Sequence, residues 1–307
     1  MVGYVARRLL ATIPVLLGLS ILTFATLHLL PGDPVLVMLG DGSGPPERIA
    51  VLRRQLGLDD SLARQYVRFL GGALQGDLGR SIRSNRPVLE EIRQQAPSTL
   101  QLTLAGLGLA TVLGVPLGLL AGWRPRSWLD RAGMVVSLWG VSMPSFWLGM
   151  LLIFVFALWL GWLPATGQGG PERLILPAAT LGIQAMAVIA LVTRAKTAEV
   201  LAEPYIAAAR AKGVPPHRLL FRHALKNALV PLVTIVGLQF GGLLGGSVIV
   251  ESVFARQGMG RLAVDAILNR DIPVIQGVVL VAATTYVLVN LVVDVLCGAV
   301  DPRILGE

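Results

Sequence analysis

Apolar and polar positions alternate along this chain in long blocks rather than at short period. Six blocks are nearly all hydrocarbon: residues 9–30, 100–122, 134–160, 176–193, 228–250 and 277–300. About 20 such residues let a helix cross a bilayer, so the pattern predicts an all-α membrane protein with six transmembrane helices. The fourth block is short and is interrupted by Gln184. Residues 31–94 form a long polar segment whose apolar positions recur at helical spacing, with turn signals at GDLGRS and NRP, which predicts a small group of short helices. The expected organisation is a first span over 1–30, an outer segment over 31–94, five further helices over 95–300 carrying a loop at 194–227, and a tail at 301–307. The first block is too long for a signal-peptide core and lacks a small-residue cleavage site, so it is expected to remain as a span.

Charge orients the blocks. Arg7 and Arg8 precede the first, WRPRSWLDR follows the second with three arginines and one aspartate, and residues 194–227 hold seven lysines and arginines against Glu199 and Glu203. The opposite short loops carry Arg173 in one and Arg256, Arg261 and Arg270 in the other. Basic residues mark the cytoplasmic side of short loops, so both termini are expected in the cytoplasm. The nine arginines of 31–99 lie in a segment longer than the roughly 60 residues to which that bias applies. Trp123 and Trp128 then mark the inner edge, and Trp159 and Trp162 the outer edge, as interfacial rings do.

Composition narrows the chemistry. Charged residues make up 14% of the chain, against roughly 25% in soluble domains. The single cysteine, Cys297, allows no internal disulfide. There is no G-x-x-x-x-G-K-[ST] phosphate loop and no G-x-S-x-G elbow, and His28, His217 and His223 are scattered without zinc spacing. Neither catalytic residues nor a metal site is expected. Glycines stand at four-residue spacing as Gly114, Gly118 and Gly122, and again as Gly237, Gly241 and Gly245 with Gly242 and Gly246 offset by one. Small residues so placed let helices approach closely. The first set reads as internal packing. The second, with Gln239, suits a helix packed on several sides or one lining a path, which makes Gln239, Gly242 and Gly246 translocation candidates. Asp294, with Asn290 one turn earlier, is the ionisable residue inside a span; a carboxylate at mid-bilayer costs about 2.5–3.5 kcal/mol. Its role is open between structure and gating.

The stretch PYIAAARAKGVPPHRLLFRHALKNALVP, 204–231, is unlike a plain connector. Pro204 suits a first helical turn, strong helix formers follow, and Gly213 stands where a helix reverses through a left-handed residue. A proline pair breaks the chain, and a basic amphipathic pattern then runs into the fifth block. The expectation is helix, elbow, helix. A loop lying on anionic lipid would explain the charge but not the alanine run and the hinge.

With these residues in view the chain resembles the integral-membrane permease subunits of ATP-binding-cassette importers, in the dipeptide, oligopeptide, glutathione and nickel branch. The resemblance rests on LLPGDP, LGLDDSLARQY, GDLGRSI, YIAAARAKGV, HALKNALVP, GLQFGGLLGGSVIVESVF, GMGRL, RDIPVIQ and NLVVDVL, in that order. It implies the type I importer permease fold in a prokaryotic inner membrane. The translocation path would form with a second permease subunit. One or two ATPase subunits would hold ATP and magnesium, with no cofactor on this chain, and an extracytoplasmic substrate-binding protein would deliver cargo. Membrane lipid is the other expected partner, and nucleic acid is not one. The resemblance further implies that Tyr205, Ala207, Ala208, Ala209, Arg210, Lys212, Gly213 and His223 contact an ATPase subunit, and that the cargo is a dipeptide, an oligopeptide or glutathione. The wider class begins this loop with a glutamate where Ala207 stands and has a Leu-Pro pair that is missing after Leu225, which puts in doubt any contact needing an acid at 207. The alternative class is a self-sufficient secondary transporter or channel for small solutes.

Overall fold

The computed structural model describes residues 2–29, 47, 50, 53 and 59–300. The motif at 29–34 therefore falls almost wholly outside the described residues, as do most of 31–58 and the tail 301–307. Among the described residues the helices are α1 (Val2–Leu29), α2 (Leu62–Leu74), α3 (Val88–Trp123), α4 (Trp128–Ser142), α5 (Ser145–Trp159), α6 (Glu172–Leu201), α7 (Pro204–Ala211), α8 (Pro216–Val253), α9 (Met259–Leu268) and α10 (Ile272–Val300). Among the described residues five of them, α1, α3, α6, α8 and α10, are each long and apolar enough to cross a membrane; α4 and α5 pass the same test only as a bent pair, which is either a sixth, broken span or a re-entrant loop.

That break falls within the apolar block 134–160 and divides it into two helices. The chain bends by 107° between Ser142 and Ser145. Pro144 has no N–H to donate, and its ring disfavours α backbone at the preceding residue; Met143 is accordingly extended, at φ −79° and ψ 129°. Gln184, which interrupts the fourth apolar block, donates from Nε2 to the Met143 carbonyl at 2.5 Å. A polar residue that weakens the hydropathy of α6 thus satisfies a backbone group freed by the bend. Helix α6 is also the most enclosed of the spans.

The chain divides into two compact units. In the first, Ser98–Gln257 with the end of α10, α6 packs against α4, α5 and α8. The core runs through Leu102, Ala110, Leu176, Leu181, Ile189, Leu232, Leu243 and Phe254. Lipid tails are as apolar as leucine, so van der Waals approach rather than water exclusion holds spans together. Helix α3 supplies that approach with glycine. A Cβ on Gly114 would lie 2.8 Å from the Met186 carbonyl oxygen, one on Gly118 2.5 Å from that of Ala190, and one on Gly122 2.6 Å from that of Arg194. One turn of α3 thus answers one turn of α6 over three successive rungs. Earlier along α3, Gly182 reciprocates, with its Cβ position 2.6 Å from the Gly106 carbonyl.

The second unit comprises Arg7–Pro97 and Gly258–Val287. Val88, Ile92, Met259, Ala266, Val274 and Val278 form its core. Asp271, 4% exposed, accepts from Ser81 Oγ (2.5 Å) and from the backbone N–H groups of Ile82 (3.1 Å) and Arg83 (3.3 Å). One carboxylate therefore fixes the turn that GDLGRS announces. Ser20 of α1 meets the Tyr66 hydroxyl at 2.8 Å, and Phe24 lies edge-on to the Tyr66 ring.

Candidate functional site

The 194–227 loop folds as helix, elbow, helix. Pro204 occupies the first turn of α7 after Glu203, whose backbone is extended. At the other end, Gly213 has φ +80°. Its N–H donates to Arg210 O (3.0 Å), and the Val214 N–H reaches back to Ala209 O (3.2 Å). These bonds satisfy carbonyls that a helix end leaves open. Pro215 is extended and Pro216 opens α8, so only the four residues 212–215 separate the two helices. The first turns of α8 include a π-helical stretch, Leu219–Ala224. It turns Leu219, Leu220 and Ala224 inward while Phe221 and Arg222 stay exposed.

Anchoring and display are divided among the residues of α7. Ile206 is fully buried. Tyr205, Ala207, Ala208, Arg210, Lys212 and Gly213 are exposed, and Ala209 is half-buried. The Tyr205 ring lies 6.3 Å from that of His223. Asn227 Nδ2 donates both to the Tyr205 hydroxyl (2.9 Å) and to the His223 carbonyl (3.0 Å). The eight residues singled out in the loop lie around an anchor the sequence reading missed, Ile206: an aromatic brace joins Tyr205 to α8, and a strip of alanines edged by Arg210 and Lys212 points outward.

The path candidates separate. Gly242 is exposed and Gln239 half-buried beside it, its Oε1 being 3.7 Å from where a Gly242 Cβ would stand. With Leu238, Gly245 and Ile249, also exposed, Gly242 lies on one stripe of α8 at i, i+4, i+7 and i+11. Gly246, one turn on from Gly242, lies half-buried at the edge of that stripe; a Cβ there would meet Leu181 at 3.2 Å, so this edge is already packed against α6. Asp294 is half-buried on α10, next to Val293, against which Gly237 packs closely.

Three polar constellations escaped the sequence reading. Asp130, 3% exposed in the first turn of α4, is gripped by both nitrogen arms of Arg194, with Nη2 to Oδ2 at 2.9 Å. The Arg126 N–H donates to the same carboxylate at 2.8 Å. Ser127 caps the helix by accepting from the Asp130 N–H. The S-x-x-D spacing of SWLD is a capping signature and was the available clue. Glu251, fully buried near the end of α8, accepts from Thr99 Oγ1 at 2.6 Å. Arg256, buried in the turn beyond it, reaches the Arg173 carbonyl and the Ser98 hydroxyl. Burial pulls the Arg256 pKa below the ordinary guanidinium value, and the Glu251 carboxylate pulls it back up. Third, Gln184 serves the bend described above. Among the described residues no three His, Cys, Asp or Glu side chains gather as a metal site would require.

Two family descriptions match the chain. Residues 114–306 match the binding-protein-dependent transport system inner membrane component, and residues 1–103 match its N-terminal companion. The glutathione transport system permease protein GsiC of Escherichia coli strain K12 is 46% identical over 305 residues, 99% of each chain. The dipeptide transport system permease protein DppB of Alkalihalophilus pseudofirmus is 42% identical over 332 aligned positions, again 99% of each chain. Among solved structures, an inward-facing MetNI methionine ABC transporter contains a chain of the same fold, with a TM-score of 0.60 at 22% identity over 68% of this chain and 96% of that one.

Proposed function

The chain belongs to the family of binding-protein-dependent transport system inner membrane components, and on that footing we propose that it carries glutathione or a short peptide inward. It is a permease subunit of an ABC importer, integral to the inner membrane. The cargo is proposed from the two relatives, whose names specify glutathione and dipeptide. Both termini and the 194–227 loop face the cytoplasm, in keeping with the excess of lysine and arginine there. A second permease completes the path along the open stripe of α8. The binding protein docks on the opposite side, and partner ATPase subunits hold magnesium and ATP while this chain binds neither.

The observation that carries the coupling role is the division of α7 into a buried anchor, Ile206, and an exposed alanine strip. Small side chains let a helix seat deeply in a groove of a partner. The buried anchor and the Tyr205–Asn227 bond join that helix mechanically to α8. A displacement of α7 is thereby passed to a span rather than lost in a slack loop.

Replacing Gly213 by valine tests this. The Cβ of the new residue would find open space, but a β-branched residue at φ +80° is strongly disfavoured. Expected in proteoliposomes carrying the whole importer are normal amounts of chain in the membrane, transport reduced at least tenfold, and ATP hydrolysis no longer stimulated by loaded binding protein. Unchanged transport would remove the coupling role from this loop. Transport by the purified chain alone would favour a secondary transporter instead.

A further inference from the structure

Between α3, α4 and α6 lies a cavity of about 220 Å³, lined by Leu117, Gly118 and Ala121, by Gly133 and Val136, and by Ala190, among other apolar side chains. Arg194, already engaged by Asp130, is the charged residue on its wall. It is smaller than the roughly 300–1,000 Å³ of pockets that hold solutes. An empty apolar cavity costs stability in proportion to its volume, and in a membrane the material at hand to fill it is hydrocarbon.

The rim carries a second signal. The cavity walls at Leu117–Ala121 of α3 and Ala132–Ser137 of α4 are joined by the turn that runs through Arg124 and Arg126, with Arg131 starting the second wall. All three arginines are exposed. Asp130, the one acid of this segment, has its carboxylate taken up by Arg194, so the rim keeps an uncompensated positive charge. Trp128, 75% exposed, and Trp123, with the Arg124 guanidinium 5.5 Å from its ring, are the residues that settle at a headgroup boundary.

We propose that this cavity is a binding site for one anionic phospholipid of the inner leaflet. The upper part of one acyl chain lies among Gly118, Ala121, Gly133 and Ala190, its remainder continues into the bilayer, and the phosphodiester headgroup rests on Arg124, Arg126 and Arg131. Small residues on all three helices keep the slot open, and arginine forks suit phosphate oxygens. The choice of leaflet rests on the cytoplasmic orientation proposed above; the lipid itself is recognised by charge and shape.

The test is native mass spectrometry of the intact importer released from nanodiscs of equimolar phosphatidylglycerol and phosphatidylcholine. Retained lipid should be predominantly phosphatidylglycerol. Arg124→Gln/Arg131→Gln should cut that preference by about five-fold per arginine. Gly133→Leu, whose Cβ would meet only the Ala121 methyl at 3.9 Å, should fill the slot and lose the retained lipid while the complex stays assembled. Equal retention of both lipids by the unaltered protein would overturn the proposal, as would a preference that both variants leave intact. A disulfide formed between Met134→Cys and a cysteine on a partner subunit would also overturn it, by showing the slot covered by protein. None of these readouts requires transport, so a null result here leaves the importer assignment standing, and an uncoupling failure at Gly213 leaves the lipid site standing.

Discussion

On α3, a side chain at Gly114, Gly118 or Gly122 would strike the backbone of α6; on α8, one at Gly242 or Gly245 would meet at most the helix's own Gln239. Both faces carry glycine at near-helical repeat, and hydropathy does not distinguish them. The difference lies in what answers each face. The α3 rungs meet Met186, Ala190 and Arg194 of the same chain, so their glycines serve intramolecular packing. The α8 stripe, Leu238, Gly242, Gly245 and Ile249, is exposed, and a Cβ on either of its glycines would meet no other helix among the described residues. That open stripe is where the proposed second permease would seat. A glycine repeat in a membrane helix thus announces close approach but not to whom.

Substitutions can sharpen the contrast. Gly118→Leu should have the largest effect: its Cβ would lie 2.5 Å from a backbone oxygen that cannot swing aside, so little monodisperse protein should survive detergent extraction and size-exclusion chromatography. Asp130→Asn acts at the Gly122 end of the same ladder, where the Arg194 carbonyl also receives Gly122. Removing one partner of a buried pair costs about 3–5 kcal/mol, to be read as a fall of several degrees or more in the thermal midpoint of the solubilised chain. Gly242→Leu should not lower that midpoint, since leucine gains roughly 0.5–1 kcal/mol over glycine in helix propensity and its Cβ would meet only Gln239. It should instead reduce recovery of the second permease and lower transport several-fold; intact pairing would show that the open stripe is not the partner's seat. The smallest change is Gly245→Ala, which should stabilise the isolated chain by roughly 0.5–1 kcal/mol through helix propensity alone. A loss of stability there would mean that the stripe is closed after all.

Much of this architecture could be read directly from the residues. Long apolar blocks report helix positions because a bilayer leaves a backbone no other economical form, and Pro204, Gly213 and the proline pair report the elbow because each restricts φ. The bend at Pro144 was not legible: neighbouring groups often re-satisfy a proline inside a span, and its angle depends on Gln184 arriving from a helix 40 residues away. Asp130 and Glu251 were missed for a related reason. At the edge of an apolar block a carboxylate looks solvated until tertiary structure delivers Arg194 or Thr99. Gly246 was grouped with Gly242 because the two lie one turn apart, and only the tertiary structure brings Leu181 against Gly246 and leaves Gly242 open.

Gly213 also illustrates how handedness, rather than volume, can dictate a residue. Space around its missing Cβ is open, so the exclusion of side chains at this position is chiral. An L-alanine at φ +80° costs roughly 1–2 kcal/mol, whereas its mirror image favours that same torsion. A chain assembled by ligation with D-alanine at 213 would keep the elbow with fewer unfolded conformations to lose, and would hold the loop more firmly than glycine does.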